Sequence, residues 1–432
     1  MSSGYTQAAT MTSSQVLSDE EWSSAVEKKL GTNDFKILGV SVSNLGGDVG
    51  GVLGEHLKVK VTVVTQSKQQ VLAFFTKRIP DNDTFHTKLI HSSKGFLKET
   101  GFFTRLFSLY PEFKQPWGPR CYFVRPDVIV LEDLMEQKFR LVGRRSFLDY
   151  SHCELVLRAL AAFHAGSIII EESNQQKLNE LYPDLLFENL FVDDNNIITN
   201  LWFRASVETI VSSVRLLRKY KENVDISNIN LEKLKKFFFQ MYELAKPSKK
   251  YRNVVSHGDL WINNLLFKYD DADDETPVDL RLVDFQLVRY TPPAVDIMSF
   301  LHLDTTQDFR RNNEKKLLSL YHTCLGEELA RHGYQVEDLL PWSEFKETCE
   351  VYKAVGYIIA PCYHHVTFLT EKVLKDNLNP DGFDEFYLGN RCKLVEQCCN
   401  EDDIYRKTVI TDLEELVEFV NTKLSEKSTG YF

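Results

Sequence analysis

The sequence lacks the features by which membrane and secreted proteins are usually identified. No uninterrupted apolar run reaches the roughly 20 residues that a membrane helix needs. The nearest candidate, residues 157–170, is interrupted by Arg158 and His164, and its spacing predicts a buried core helix. Residues 1–15 have neither the charged start nor the apolar centre of a secretory signal. We therefore expect neither membrane insertion nor secretion.

Positive charge is also scarce. The chain has 51 Lys and Arg against 62 Asp and Glu, a formal net charge of −11. No cluster of Lys and Arg is dense enough to follow a nucleic-acid backbone, so we expect no nucleic-acid partner. A nucleotide, by contrast, needs only one or two well-placed cations.

The cysteines show no paired spacing of the kind that binds metal. There are eight of them, and Cys398 and Cys399 are adjacent rather than arranged as C-x-x-C. Free thiols in a reducing compartment are therefore predicted, and with them a cytoplasmic location.

What the sequence does contain is typical of a soluble globular protein. Hydrophobic residues make up 43% and charged residues 26%, with both signs mixed along the chain. A length of 432 residues is enough for two large lobes around a cleft.

One stretch, residues 254–300, carries groups suited to phosphoryl transfer: His257, Asp259, Asn264 and Asp284. This reaction needs metal ligands, a cation on the phosphates and a base aligned with the acceptor oxygen. We predict that Asp259 is the free carboxylate, placed to accept a proton from a substrate hydroxyl. His257 is predicted to be a hydrogen-bonded brace for this loop rather than a second base.

Two predicted strands, residues 265–267 and 280–283, flank a polar turn and form a hairpin. The hairpin would bring Asn264 and Asp284 together. An amide oxygen beside a carboxylate suits Mg²⁺, which prefers one or two protein ligands. The alternative is that these residues lie in a solvated turn and at a strand end. It accounts for any one of the four residues better than for all four in this order. Asp296, further along, is predicted to cap the next helix and to bond the catalytic loop.

Three predicted strands lead to Lys77 in the N-terminal part of the chain. They cover residues 35–42, 56–64 and 71–75. The turn between the first two contains Gly46, Gly47, Gly50 and Gly51. Such a turn and one ammonium can bind a triphosphate, and Glu99, in a predicted helix at residues 97–106, would hold Lys77. An ordinary hairpin turn and a surface lysine are the alternatives.

Residues 128–134 form an apolar strand followed by acids and are predicted to link two lobes. Glu132 and Leu134 would offer main-chain groups to an adenine ring; the alternative is a strand that ends in solvated acids. The predicted organisation is a disordered tail (1–17), a nucleotide-binding N-lobe (18–131), a hinge (132–134) and a helical C-lobe with the catalytic loop and metal hairpin (135–432).

Helical spacing dominates the rest of the chain. Predicted helices cover residues 19–30, 153–164, 207–219, 231–244, 314–332, 342–363 and 413–424. The acidic run at residues 270–275 lacks the spacing of a calcium loop and is interpreted as a solvated turn. His364 and His365 are interpreted as ordinary helix residues. The acceptor pocket is expected among the C-lobe helices, where aromatic residues are plentiful, among them Phe237, Phe238, Phe239 and Tyr357.

These motifs resemble the insect ecdysteroid-kinase-like family, a branch of the choline-kinase and aminoglycoside-phosphotransferase group. The resemblance rests on HGDLWINN, VDFQ and PPAVDIMSFL, with VLEDL and LRALAAFHAGS upstream, and runs from about residue 30 to 424. It implies an α+β, two-lobed protein-kinase-like fold, with a small antiparallel sheet in the N-lobe and a large, mainly α-helical C-lobe. It also implies ATP and Mg²⁺ as cofactors, and a small-molecule alcohol, such as an ecdysteroid or a related steroid or xenobiotic, as the substrate.

The resemblance also assigns roles position by position. Asp259 matches the catalytic Asp, Asn264 and Asp284 match the metal ligands, Lys77 matches the phosphate-binding Lys, and Glu99 matches its partner.

Two other functions remain as alternatives, and a third is disfavoured. A protein kinase is disfavoured, because the chain has H-G-D and D-F-Q where such kinases have H-R-D and D-F-G, and it has no A-P-E. A non-catalytic small-molecule-binding relative is the stronger alternative, because the glycine turn differs from the family's usual G-E-N-Y-x-S. A choline-kinase-like enzyme acting on another small alcohol is the other.

Overall fold

Alternating apolar residues build a five-stranded antiparallel sheet in the N-terminal part of the chain. The computed structural model describes residues 16–45, 54–66, 68–80, 85–221, 230–378 and 382–425. The strands are β1 (Lys36–Asn44), β2 (Glu55–Thr65), β3 (Lys68–Arg78), β4 (Cys121–Arg125) and β5 (Val128–Glu132), in the order β1-β2-β3-β5-β4. On β2, Leu57, Val59, Val61 and Val63 are fully buried, as the period of two requires.

The sheet differs from the prediction at two places. β3 runs to Arg78 rather than ending at residue 75, so Lys77 lies within the strand. β4, which the sequence did not predict, pairs with β5 across a two-residue turn. Its five residues, CYFVR, have no alternating pattern that would predict a strand.

The helix α1 (Asp19–Leu30) has the predicted bounds, and it packs against one face of the sheet. Ser18 and Glu21 form a capping box at its start, and the ring of Trp22 packs 5.9 Å from that of Phe74. The predicted disordered tail was drawn two residues too long, since Val16 and Leu17 are buried in the same core. The rest of the predicted tail lies outside the described residues.

The helix that carries Glu99 is shorter and less regular than predicted. α2 (Phe85–Ser93) and α3 (Gly95–Gly101) are followed by a π-helical turn at Phe102–Leu106 rather than by continuous α-helix. Phe102 stacks on Phe285 with ring centroids 4.7 Å apart. The widened turn therefore lies where the aromatic core packs most densely.

The C-terminal part of the chain is mainly helical, which confirms the predicted fold class. Its helices are α4 (Tyr150–Asn174), α5 (Leu178–Leu181), α6 (Ile198–Ser213), α7 (Leu217–Tyr220), α8 (Leu231–Phe239), α9 (Met241–Leu244), α10 (Pro293–Asp304), α11 (Gln307–Arg331), α12 (Val336–Leu339), α13 (Trp342–Thr367), α14 (Glu371–Asn377), α15 (Phe383–Leu388), α16 (Cys392–Glu401) and α17 (Asp403–Ser425). The helix predicted at residues 231–244 is two helices, because the chain turns at Gln240.

Within the part of the chain that the structure describes, one helix, α4, is long and apolar enough to cross a membrane by length and composition alone. Of its most apolar window, 78% is buried inside the protein. His164 within it is fully buried and hydrogen-bonded to Tyr321 at 2.7 Å. The burial agrees with the predicted core helix.

Short strands bring the catalytic stretch together. β6 (Phe139–Leu141), β8 (Leu265–Tyr269) and β9 (Pro277–Leu282) form one small sheet, while β7 (Val254–Ser256) pairs with β10 (Arg289–Thr291). Leu265 lies opposite Leu282, so the predicted hairpin is present. Its acidic turn is exposed, as interpreted, and pairs with Lys138 and Arg140.

The strand β5 borders both apolar cores. Val128 and Val130 belong to the smaller core under the sheet, whereas Ile129 and Leu131 belong to the larger one of the helical part. Apolar residues of α2, α3 and the following turn also pack in the larger core. Residues packed in the two cores therefore hold the walls of the cleft in place on both sides.

Candidate active site

Lys77 lies at the centre of the cleft, between two carboxylates. Its Nζ donates to Glu99 Oε2 at 2.6 Å and to Asp284 Oδ1 at 2.8 Å, and the residue is 3% exposed. Burial alone would lower the pKa of Lys77, but Asp284 and Glu99 outweigh it and raise this pKa. The side chain is therefore a fixed cation inside the cleft.

Glu99 ties three parts of the chain together. From α3 it accepts the Lys77 bond with one oxygen and the backbone N–H of Phe285, at 3.2 Å, with the other. A carboxylate with both oxygens bonded is held in one orientation. The N-terminal sheet, α3 and the segment after β9 are thus joined at one side chain.

Asp259 has donors on both carboxylate oxygens. Asn264 Nδ2 donates to Oδ2 at 3.0 Å and to the Asp259 carbonyl at 2.8 Å, while the Tyr363 hydroxyl donates to Oδ1 at 3.2 Å. Burial, together with the charge of Asp284, raises the pKa of Asp259 to about 6. A carboxylate with that pKa is a stronger proton acceptor than an exposed Asp and remains largely ionised at neutral pH.

His257 has the contacts that the predicted brace requires. Its Nδ1 accepts from the N–H of Asp259 at 3.3 Å, so Nε2 carries the proton and donates to the Val283 carbonyl at 3.0 Å. Burial lowers the pKa of His257, so the ring is neutral at pH 7. The imidazole thereby joins the catalytic loop to the residue before Asp284.

Asp296 does not cap a helix, contrary to the prediction. It lies inside the first turn of α10, whose N-cap position is Pro292. Its carboxylate accepts instead from the backbone N–H groups of His257 at 2.6 Å and Gly258 at 3.0 Å. The predicted bond to the catalytic loop is present, and the carboxylate serves the loop rather than the helix end.

Asn264 and Asp284 meet as the hairpin predicts. The Val283 N–H donates to the Asn264 carbonyl at 3.1 Å, and both Asn264 and Asp284 line the cleft. Because the Asn264 NH₂ group bonds Asp259, its amide oxygen is left for another partner. Asp284 has a φ of 69°, an unfavourable backbone conformation that proteins retain mainly at functional positions.

This donor set fits Mg²⁺, which takes hard oxygen ligands and fills its other positions with water and phosphate oxygens. Among the described residues, no three or more His, Cys, Asp or Glu converge as a larger metal cluster would require. The Asn264 amide oxygen and the Asp284 carboxylate are sufficient for a metal of this kind.

Two buried basic side chains, which the sequence did not reveal, support the site. Arg289 Nη2 donates to the Gly258 carbonyl at 2.7 Å, and Arg289 Nη1 pairs with Glu188 at 2.7 Å. Lys98, beside Glu99 on α3, donates to Asn189 at 3.0 Å. Residues 188 and 189 thus connect α3 to the catalytic loop. No local pattern marks these long-range partners.

The predicted hinge residues line the cleft. Glu132 donates its N–H to the Arg120 carbonyl at 2.8 Å, and the Leu134 carbonyl accepts from Gln137 and Phe139. The predicted glycines Gly46, Gly47, Gly50 and Gly51 lie outside the described residues.

The acceptor side of the cleft is aromatic, but not through the predicted residues. The cavity of about 360 Å³ is bordered there by Trp202, Trp261, Tyr363, Phe386 and Tyr387. The suggested aromatic residues are elsewhere. Phe237 and Phe238 are buried in the core, Phe239 stacks on Tyr242, and Tyr357 stacks on Phe419. Helical spacing does not distinguish the aromatic residues of the core from those that line the cleft. Of the latter, only Trp261 lies in a motif that the sequence analysis identified, the predicted catalytic loop.

Comparison with known proteins gives one family. A model of the ecdysteroid kinase-like family matches residues 52–334, more than half of the chain. No curated protein matches the chain.

Three of the solved structures that are similar to it illustrate the likeness. The ethanolamine kinase of Plasmodium vivax is 13% identical, with 86% of this chain and 84% of that chain covered and a TM-score of 0.32. A choline/ethanolamine kinase family protein from Mesorhizobium loti is 12% identical, with 86% of this chain and 92% of that chain covered and a TM-score of 0.32. The amicoumacin kinase hAmiN, bound to AMP-PNP, Ca²⁺ and Ami, is 12% identical, with 87% of this chain and 91% of that chain covered and a TM-score of 0.36.

Proposed function

The chain belongs to the ecdysteroid kinase-like family and is a small-molecule phosphotransferase; we propose that it uses ATP and Mg²⁺ to phosphorylate a hydroxyl of an ecdysteroid or of a related steroid or xenobiotic alcohol. The observation that carries this proposal is the position of the Lys77 ammonium, between Glu99 and Asp284 in the cleft that also contains Asp259. A phosphate-binding cation, a metal-binding carboxylate and a base are the groups that this reaction requires.

Each residue has one proposed task. Lys77 binds the phosphates of the nucleotide, and Glu99 holds Lys77 in place. The Asn264 amide oxygen and the Asp284 carboxylate hold Mg²⁺, which supplies charge neutralisation on the phosphates when bound. Asp259 accepts the proton of the acceptor hydroxyl as its oxygen attacks the γ-phosphorus.

The aromatic side of the cleft, called the acceptor wall below, favours a polycyclic, apolar alcohol as the substrate. Flat aromatic side chains and the leucines Leu374 and Leu378 line this side, and none of the described residues that line it on α6, α13, α14 and α15 is a carboxylate. A cationic amino alcohol would lose hydration there without gaining a paired charge. A steroid ring system, by contrast, would bury its area against these rings.

A direct assay tests the proposal. Purified protein is incubated with ATP, Mg²⁺ and either ecdysone, ethanolamine or kanamycin, and phosphorylated products are measured by mass spectrometry. We expect phosphorylated ecdysone, with turnover at least about a thousandfold lower in Asp259→Ala. Asp271→Ala, an acid in the exposed hairpin turn, is the matched control and should keep full activity.

Other outcomes point to the alternatives. Turnover that survives Asp259→Ala would overturn the assignment of the base. ATP binding without product from any alcohol would favour a non-catalytic small-molecule-binding relative, and product from ethanolamine alone would favour a choline-kinase-like enzyme.

We also propose that the protein works in a reducing compartment, the cytoplasm. The support is that all eight cysteines are free and seven are buried. Fluorescence microscopy of the tagged full-length chain tests this location, and accumulation in a secretory compartment would contradict it.

A further inference from the structure

The hydroxyl of Tyr363 lies where an attacking hydroxyl would be expected. It comes from α13, 104 residues from Asp259 in sequence, and donates to Asp259 Oδ1 at 3.2 Å. The aromatic ring is held by two tryptophans, with Trp202 edge-on at 5.5 Å between centroids and Trp261 at 6.3 Å. Tyr363 therefore belongs both to the aromatic acceptor wall and to the first contacts of the proposed base.

The two oxygens of Asp259 have different surroundings. Oδ2 is bonded to Asn264, which the hairpin fixes in position. Oδ1 has the Tyr363 hydroxyl as its donor and faces the acceptor wall. An alcohol that gives its proton to Asp259 must approach Oδ1, and its oxygen must come within hydrogen-bond distance of that atom, as the Tyr363 oxygen now does.

We infer that the Tyr363 hydroxyl is a placeholder for the acceptor hydroxyl, which keeps water away from Asp259 Oδ1 until an alcohol displaces it. This inference rests on the proposed function. Tyr363 is a positioning residue in this scheme. Burial and the charge of Asp259 raise the pKa of Tyr363 well above its usual value, so the hydroxyl stays protonated and remains a donor.

The placeholder separates two reactions that use the same base. In the productive reaction, the alcohol oxygen bonds the γ-phosphorus, the bond from that phosphorus to the β–γ bridging oxygen breaks, ADP leaves with the electron pair, and Asp259 takes the alcohol proton. In the wasteful reaction, water takes the place of the alcohol and the product is inorganic phosphate. While the Tyr363 hydroxyl is bonded to Oδ1, water cannot occupy the position from which Asp259 would activate it.

Tyr363→Phe tests the inference, because it removes the hydroxyl and keeps the ring in the aromatic wall. With ATP and Mg²⁺ but no alcohol, we expect ATP hydrolysis to rise about tenfold, the effect of losing one hydrogen bond to a charged group. With ecdysone present, the phosphorylated product formed per ATP consumed should fall. Tyr357→Phe, on the same helix but outside the cavity, is the matched control and should change neither quantity.

A binding measurement without ATP or metal gives an independent test. Calorimetric titration of the nucleotide-free protein with ecdysone should show equal or tighter binding to Tyr363→Phe, because the alcohol no longer has to break the bond from Tyr363 to Asp259. If the hydroxyl were only structural, the variant would bind ecdysone more weakly and hydrolyse ATP no faster than the unmodified protein. Either of these results would overturn the inference.

The outcome is separable from that of the proposed function. If the unmodified protein phosphorylates no alcohol, the proposed function fails, whatever the variant does. If it phosphorylates ecdysone and Tyr363→Phe does not raise hydrolysis, only the placeholder fails. Should Tyr363→Phe not fold, Tyr363→Met, which also fills the site without a hydroxyl, gives the same comparison.

Discussion

The carboxylate of Asp296 accepts a hydrogen bond from the backbone N–H of His257 at 2.6 Å, so a buried helix holds the catalytic loop directly. The same carboxylate accepts from Gly258 and is also hydrogen-bonded to His164. Hydrogen bonds from N–H groups to a carboxylate are about twice as strong as neutral ones. The position of Asp259 therefore depends on a residue that does not face the cleft.

Asp296→Asn should lower both stability and turnover. The amide that replaces the carboxylate has one acceptor oxygen for two backbone N–H groups, and its NH₂ would face a donor. We expect a loss of about 2–4 kcal/mol in the free energy of unfolding and a fall of about tenfold to a hundredfold in turnover. Urea denaturation and the ecdysone assay measure the two effects. Asp308→Asn, an exposed acid at the start of α11, should change neither; equal losses in both variants would contradict the role of Asp296.

Gly258→Ala should be far more damaging than another substitution at a glycine of similar φ. Gly258 has a φ of +80°, and a Cβ there would lie 2.1 Å from the Leu287 carbonyl oxygen. Gly333 has a φ of +86° with no atom within 4 Å of such a Cβ. Both alanine variants have the left-handed backbone cost of about 1–2 kcal/mol, but only Gly258→Ala must also shift the loop.

The measurement for this pair is unfolding free energy together with turnover. Gly333→Ala should lose only stability. Gly258→Ala should lose more stability and at least about a hundredfold in turnover, because displacement of Asp259 by about 1 Å is enough for that. Equal turnover in the two variants would show that the loop tolerates the shift.

The sequence was most informative where a site depends on local spacing. The hairpin that joins Asn264 to Asp284 was predicted because two apolar segments flank one polar turn, and strand pairing then fixes the register. Lys77 was found for a similar reason, since it follows an apolar strand pattern, whereas Glu99 was found within a helical pattern. Their contact with each other was predicted because a phosphate-binding Lys is often held by a Glu on a helix, and the family resemblance assigned the same pair.

Long-range partners were not predictable in this way. Tyr363 is one of several aromatic residues on a mainly buried helix, and nothing in its neighbourhood marks it as a partner of Asp259. Asp296 was predicted to bond the catalytic loop, and that bond is present, but its predicted role as a helix cap was wrong, because it lies inside the first turn of α10. Helical periodicity predicts which face is buried, but not which residue on the other lobe or loop it will meet.

Lys77→Met should separate stability from nucleotide binding. The variant leaves the Glu99 and Asp284 carboxylates close together without a cation, so we expect a loss of about 3–5 kcal/mol in unfolding free energy. The double variant Lys77→Met/Glu99→Gln should recover part of that loss, because one of the two unpaired charges is gone. Neither variant should bind ATP as the unmodified protein does.

Chemical denaturation and calorimetric titration with ATP test this pair of changes. Lys68→Met, an exposed lysine on the same strand, is the control and should leave both measurements unchanged. If the double variant is less stable than Lys77→Met, or if it binds ATP normally, the cationic role assigned to Lys77 is wrong.

The neighbouring histidines His364 and His365 should give stability opposite dependences on pH. Burial alone would lower the pKa of His364, but Asp412, 2.8 Å from its Nδ1, outweighs this and the pKa is raised. Burial, together with the charge of Arg391, keeps the pKa of His365 well below its usual value. Both rings lie inside α13 and are buried, so the sign of each effect follows from the neighbouring charge.

The sign follows from the protons bound in each state. His364 in the folded chain holds its proton above the unfolded pKa of about 6.5, so its stabilisation is complete below that pH and is lost as pH rises through the folded pKa. His365 is neutral in the folded chain, so its contribution is present above about pH 6.5 and is lost as pH falls below that value.

Substitution by glutamine removes each titration in turn. The difference in unfolding free energy between the unmodified protein and His364→Gln should shrink as pH rises above about 6.5, by about 1.4 kcal/mol per unit of pKa shift. The difference in unfolding free energy between the unmodified protein and His365→Gln should instead shrink as pH falls from about 6.5 to 5. Urea denaturation at half-unit steps of pH between about 5 and 8.5 measures both. Parallel curves for the two variants would mean that Asp412 does not hold His364 in its charged form, because adjacent buried histidines without that charge would titrate with the same sign.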